Sequence, residues 1–143
     1  MKAFFAARKE EILEYLKRII EEKAEDLSKV HPLGRDAVER ILDFAGRGKM
    51  LRGGLVGLGY ALYAGDGRNA AGPTGAGASA AAARERNPMP EEVVAVGAAM
   101  ELFQSAFLIH DDIMDRDTRR RGVATVFSQY ADAAKEEGLP DAD

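Results

Sequence analysis

The chain has 143 residues, 46% of them hydrophobic, with 24 acidic residues against 20 basic ones and a formal net charge of −4. That length and apolar content set a single core, and so one domain over 1–143, as the expectation. The acidic balance excludes a general nucleic-acid binder, which would present a basic face, and the absence of cysteine excludes a disulfide framework and thiolate metal sites.

The opening residues, MKAFFAARKEEILEYLKRIIEEK, carry charge throughout and read neither as a signal peptide nor as an anchor. No uninterrupted apolar run reaches the roughly 20 residues of a membrane span, so no transmembrane segment and a cytoplasmic location are expected. Residues 3–27 have the spacing of a long amphipathic helix, with Phe5, Ile12, Leu16, Ile19 and Ile20 as its apolar stripe. His31-Pro32-Leu33-Gly34 breaks it. A second helix is predicted from about Asp36, with Val38, Ile41, Leu42 and Ala45 on one face, until Gly46 and Gly48 interrupt it. A third is predicted over Leu51–Ala64. Its small residues Gly53, Gly57 and Ala61 recur at every fourth position and invite close approach by another helix. The apolar remainder, Leu55, Val56, Leu58 and Leu62, implies burial on nearly all sides.

Residues 65–90 change character: Gly, Ala, Pro and Ser dominate without period, which predicts a flexible loop or insertion, with room for a short Ala-rich helix near 78–86. A fourth helix is expected after Pro90, with Glu91 and Glu92 favourable in its first turn. Its apolar stretch Val93–Ile109 reads as buried. A short last helix is predicted over 124–136. No segment alternates with period two, so the fold class is all-α.

Two clusters carry the chemistry. At the end of the fourth helix, HDDIMDRDTRRRG places Asp111 and Asp115 one turn apart on one face, with Asp112 about 100° round from them. Like charges at that spacing repel, which points to a cation between them. Arg120 and Arg121 follow, and their forked donors match phosphate oxygens. Charge clusters at helix ends are commonly just solvated surface, and the arginine pair is what favours a site. In the second cluster, GRGKMLRGG, Lys49 and Arg52 stand at the mouth of the third helix, where backbone N–H groups favour anions. It is not a Walker A loop, because no Ser or Thr follows Lys49.

Together these clusters resemble the trans-isoprenyl diphosphate synthases (polyprenyl synthetases, the farnesyl and geranylgeranyl diphosphate synthase family). The family's first aspartate-rich motif, D-D-x-x-D-x-x-x-x-R-R-G, is matched by Asp111, Asp112, Asp115, Arg120, Arg121 and Gly122, and its G-K-x-x-R motif by Gly48, Lys49 and Arg52. Gln104 stands where many members carry a glutamine or histidine that helps hold isopentenyl diphosphate. The chain departs from the pattern at Met50 (often Arg), at Gly53 (often Pro), and at Ala124 and Phe127, where many prokaryotic members have Pro and His. The 65–90 segment is longer than the usual connection. The second aspartate-rich motif is absent, so the resemblance covers about the N-terminal half of a family member.

The resemblance implies an antiparallel helix bundle of the isoprenoid synthase type, incomplete in this chain, and a homodimer. It implies an Mg²⁺-dependent transferase that condenses an allylic diphosphate with isopentenyl diphosphate, with a geranylgeranyl product favoured over farnesyl. Asp111, Asp112 and Asp115 would be the catalytic metal ligands, and Arg120 would bind the allylic diphosphate. Lys49, Arg52, Gln104 and Arg121 would bind isopentenyl diphosphate. Phe107 and Phe103, one and two turns before Asp111, would line the tail pocket, with Ala106 leaving room beside them. With only the first motif, the 143-residue chain alone is expected to be inactive. The alternative is a non-catalytic regulatory or scaffold subunit of a prenyl synthase complex.

Overall fold

In the computed structural model, which describes residues 1–63 and 88–138, the first helix, α1, spans Lys2–Val30. Strong helix formers (Ala, Leu, Glu, Lys) dominate it. Phe4, Arg8, Ile12, Leu16, Ile20 and Ala24 are buried at every fourth position. The stripe thus begins at Phe4, and the predicted Phe5 and Ile19 are only half-buried. Arg8 enters this row by pairing with Glu11 at 3.1 Å and lying over the Phe4 ring at 5.2 Å.

His31 turns extended, and Pro32, which disfavours helix in the residue before it, opens α2 (Leu33–Gly46). This helix starts earlier than its pattern suggested, because Gly34 can sit in the first turn directly against the Leu27 carbonyl, where a Cβ would collide. Gly34 beside Leu27 and Gly46 beside Leu13 make α1 and α2 an antiparallel pair. Helix α3 (Leu51–Tyr63) and helix α4 (Glu91–Asp115) follow. They cross at Gly53 and Gly97: a Cβ on Gly53 would stand 3.0 Å from the Gly97 carbonyl oxygen and would also strike Ile12. The predicted small-residue stripe therefore packs as expected at Gly53 and at Gly57, which lies under Met89 and Arg8. Ile12, Leu16, Met50, Met89, Val94 and Ala98 form the core where α1, α3 and α4 meet, and Leu42 of α2 packs against it.

Two burial expectations fail, for one physical reason. Helix α4 turns Val94, Gly97, Ala98, Glu101, Ser105 and Asp112 inward and leaves Val96, Met100, Phe103, Phe107, Ile113 and Met114 exposed. Leu51, Leu55, Leu62 and Tyr63 of α3 are exposed as well. Both helices are apolar around most of their circumference, so composition does not reveal which face the neighbours cover; the glycine crossing does. By length and composition α4 is also long and apolar enough to cross a membrane, contrary to the expectation from uninterrupted runs, although its inward face carries Glu101 and Asp112. The predicted 65–90 loop lies outside the described residues except at 88–90, and the 78–86 helix lies wholly outside them.

After α4 comes a hairpin too short to show alternation in sequence: β1 (Arg119–Arg120) pairs antiparallel with β2 (Val123–Ala124). The last helix, α5 (Val126–Glu136), is capped by Thr125, whose Oγ1 accepts from the Ser128 N–H at 3.3 Å. It is tied to α2 by a polar knot. Asp36 Oδ2 accepts from Arg40 Nε and from the Tyr130 hydroxyl, both at 2.7 Å, and Arg40 Nη1 donates to Gln129 Oε1 at 2.6 Å. The fold class is all-α, as read from the sequence.

The Arg40 hydrogen bond first, and the Tyr130 hydroxyl second, hold the Asp36 carboxyl below its ordinary value of 3.8. A carboxylate with a depressed folded pKa stabilises fully above its unfolded value and loses that contribution as pH falls through the lower one. Comparing urea unfolding of the wild type with Asp36→Asn should therefore give a stability gap that is constant near neutrality and closes below about pH 3.8.

Candidate functional site

The site is built at the end of α4. The chain leaves the helix at Arg116, in the left-handed conformation (φ 55°). The Asp117 N–H bonds back to the Asp112 carbonyl at 2.9 Å and the Arg116 N–H to that of Ile113 at 3.3 Å, the paired bonds of a Schellman stop. This stop fixes the three aspartates in the last helical turns. Asp111 and Asp115 face outward and are exposed, while Asp112 turns in and is fully buried. Asp112 Oδ1 accepts from both Nε and Nη2 of Arg120, each at 2.6 Å. Its Oδ2 is buried with no hydrogen-bond partner among the described residues. The Asp112 hydrogen bond is the main reason the Arg120 guanidinium is held above its ordinary pKa.

Arg120 reaches Asp112 because the hairpin places it there. Arg121 and Gly122 form the two-residue tip, both with positive φ (52° and 82°), the pattern of a tight turn whose twist matches the strands. Glycine adopts this conformation freely; Arg121 does so against its side chain. The turn brings the Arg121 guanidinium to the Gly48 loop, where a Cβ on Gly48 would stand 3.5 Å from Arg121 Nη1. From α1, Lys9 Nζ donates to the Gly48 carbonyl at 2.8 Å. From α4, buried Glu101 accepts the Gly53 N–H at 2.8 Å, which fixes a helix start that has Met50 left-handed before it and two glycines in its first turns. Lys49 and Arg52 are exposed, and Gln104 is half-buried. Among the described residues none of Lys49, Arg52 and Arg121 forms an ion pair.

The fold thus brings the two sequence clusters together: Arg121 of the hairpin lies on the G-K-x-x-R loop, and Arg120 joins the aspartate turn. Phe103 and Phe107 pack edge to face, ring centres 4.7 Å apart, but are 63% and 53% exposed, with Ala106 exposed between them. Among the described residues no group of three or more Asp, Glu or His gathers within metal-binding range. What remains open is the pair Asp111 and Asp115. Such a pair fits Mg²⁺, which is usually held by one or two carboxylates and completes its shell with phosphates and water. Neither Lys9 nor Glu101 belongs to either of the two motif clusters of the sequence. Glu101 could have been suspected as a lone acid within an apolar helix. Lys9 gave no signal, since a lysine in a charged amphipathic helix is unremarked.

A protein-family model described as polyprenyl synthetase matches residues 35–135, well over half the chain. A stretch of 42 residues is 52% identical to a short chain isoprenyl diphosphate synthase of Methanocaldococcus jannaschii, covering 29% of this chain and 13% of that protein. Another, of 40 residues, is 48% identical to a geranylgeranyl diphosphate synthase of Sulfolobus acidocaldarius, covering 28% and 12%. The matched stretches thus span only about an eighth of those relatives' length. No solved structure gives a significant match.

Proposed function

Because this chain belongs to the polyprenyl synthetase family, we propose that it supplies the first metal and diphosphate-binding part of an isoprenyl diphosphate synthase, which joins an allylic diphosphate to isopentenyl diphosphate. The observation that carries this reading is the approach of Arg121 to Gly48, which makes one cationic surface of two motifs far apart in sequence. Three cations unpaired among the described residues repel one another unless an anion lies between them, and a diphosphate is such an anion.

In this reading Lys49, Arg52, Arg121 and Gln104 hold isopentenyl diphosphate by direct hydrogen bonds and charge. Arg120 spends Nε and Nη2 on Asp112 and keeps its Nη1 side for the allylic diphosphate. Asp112 acts by fixing that guanidinium, while Asp111 and Asp115 hold Mg²⁺. Bound there, Mg²⁺ supplies charge neutralisation for the departing diphosphate. The exposed row Phe103, Ala106 and Phe107 offers an apolar surface to the tail and excludes water that would trap an allylic cation. The product we favour is geranylgeranyl, because small Ala106 leaves the wall beside Phe107 open.

Calorimetric titration with inorganic pyrophosphate tests this. A second, Mg²⁺-dependent component should appear in Mg²⁺ buffer and be absent in EDTA. Asp111→Ala combined with Asp115→Ala should abolish that component, and Lys49→Ala should spare it. Equal binding in both buffers would mean that the aspartates hold no metal.

A further inference from the structure

Helix α1 carries a second row beside its buried one. Phe5 packs against Gly54, Lys9 against Gly48 and Leu13 against Gly46, so this face of α1 runs along the whole segment that contains Lys49 and Arg52. Two of the three residues are apolar and simply cover it. The middle one is an ammonium group, half-buried and bonded to the carbonyl of the glycine that Arg121 also approaches. We propose that Lys9 is a further cation of the diphosphate cradle, donating to the same diphosphate as Lys49, Arg52 and Arg121; this rests on the reading of the site given above.

The stereochemistry supports this. An ammonium has three donors, and one is used on the Gly48 carbonyl at 2.8 Å. That bond aims the group, leaving two donors for a ligand. Among the described residues Lys9 forms no ion pair, although Glu10 and Glu14 lie on the same helix; both are exposed, and Glu11 is taken up by Arg8 and by the Met89 N–H. A half-buried cation bonded to the glycine that a guanidinium also approaches, with no carboxylate paired to either among the described residues, is repelled by that guanidinium and relieved when an anion arrives. A leucine, continuing the row of Phe5 and Leu13, would cover the loop equally well without that repulsion. The family's G-K-x-x-R and R-R-G motifs do not include this position, since it lies on α1, with α2 between it and the first of them.

The test is titration of the full chain with inorganic pyrophosphate in EDTA at low ionic strength, which isolates the metal-free cradle. Lys9→Met, which keeps the stem's packing, should weaken binding about tenfold, equivalent to about 1.4 kcal/mol, and make the affinity less sensitive to salt. Lys9→Gln keeps a donor for the Gly48 carbonyl but removes the charge, and should weaken binding almost as much; Lys9→Arg should retain most of it. Thermal midpoints should stay at the wild-type value in all three. Wild-type affinity in Lys9→Gln would overturn the proposal, leaving Lys9 a clip on the loop. Wild-type affinity in Lys9→Met, with Lys49→Met weakened, would also overturn it while leaving the reading of the site intact. If Lys49→Met is unaffected as well, or the wild type binds no pyrophosphate in EDTA, both fall together. Arg47→Met, on the same loop but paired with Asp43, should change nothing.

Discussion

Replacing Arg120 by alanine is expected to destabilise the protein by about 3–5 kcal/mol, the range found when one partner is removed from a buried ion pair. The charge left behind is the inner one: the Asp112 side chain is 1% exposed against 28% for Arg120. Its Oδ2 already has no hydrogen-bond partner among the described residues, so without the guanidinium neither oxygen of the buried carboxylate would have one. Replacing Asp112 by asparagine and Arg120 by glutamine together removes the charge and keeps the donors, and should cost less than Arg120→Ala alone. Urea unfolding of the wild type and these two variants measures this. A loss below about 1 kcal/mol for Arg120→Ala, the range of exposed pairs, would reduce the contact to a surface bridge. The point matters for testing the proposed site, because an Arg120 variant would lose a support of the fold together with the cation proposed for the allylic diphosphate.

The second large effect is at the crossing of α3 and α4. Gly53→Val should destabilise by about 3 kcal/mol or more, at the upper end of overpacking penalties, because its branched side chain would press on the Gly97 carbonyl and on Ile12. Gly53→Ala should lose roughly 1–2 kcal/mol, since about 1 kcal/mol of helix propensity offsets part of the clash. Gly59, in the same helix, has nothing within 4 Å of its would-be Cβ. Gly59→Ala should accordingly stabilise by about 0.5–1 kcal/mol. Thermal unfolding of the two alanine variants should move in opposite directions; a stabilised Gly53→Ala would mean that the helices separate more easily than their packing implies.

Helix ends were legible in the sequence because they are local. Pro32, Gly46, Pro90 and the aspartate run stop or start helices by backbone chemistry, and the elements begin and end close to them. Helix faces were legible only where polar residues mark the outside. Helix α1 has charges on its outer side, and Ile12, Leu16 and Ile20 of its buried row were recognised, whereas Phe5 and Ile19 stood in place of Phe4, and Arg8 and Ala24 were missed. Helix α4 has apolar residues on every side, and besides Gly97 at the crossing it is Glu101, Ser105 and Asp112, polar yet buried, that betray its inner face. In the site, the residue types followed from motif spacing, but the pairings did not. That Arg120 closes on Asp112 and Arg121 on Gly48 depends on a four-residue ladder and a left-handed arginine, neither of which leaves a pattern in composition.

The fourfold spacing of the buried row on α1 has a geometric corollary. A helix turns 100° per residue, so each step of four overshoots a full circle by about 40°, and the five steps from Phe4 to Ala24 carry the row about 200° around the rod. The helix is therefore a spindle about which its neighbours wind, meeting different partners along its length. Inserting one residue between Ile12 and Leu16 would rotate everything beyond it by about 100° and put the wrong side of the rod under every neighbour downstream. Length variation in α1 should accordingly be confined to its two ends, with the interior held to a fixed count of residues even where the side chains on its outer face are free to change.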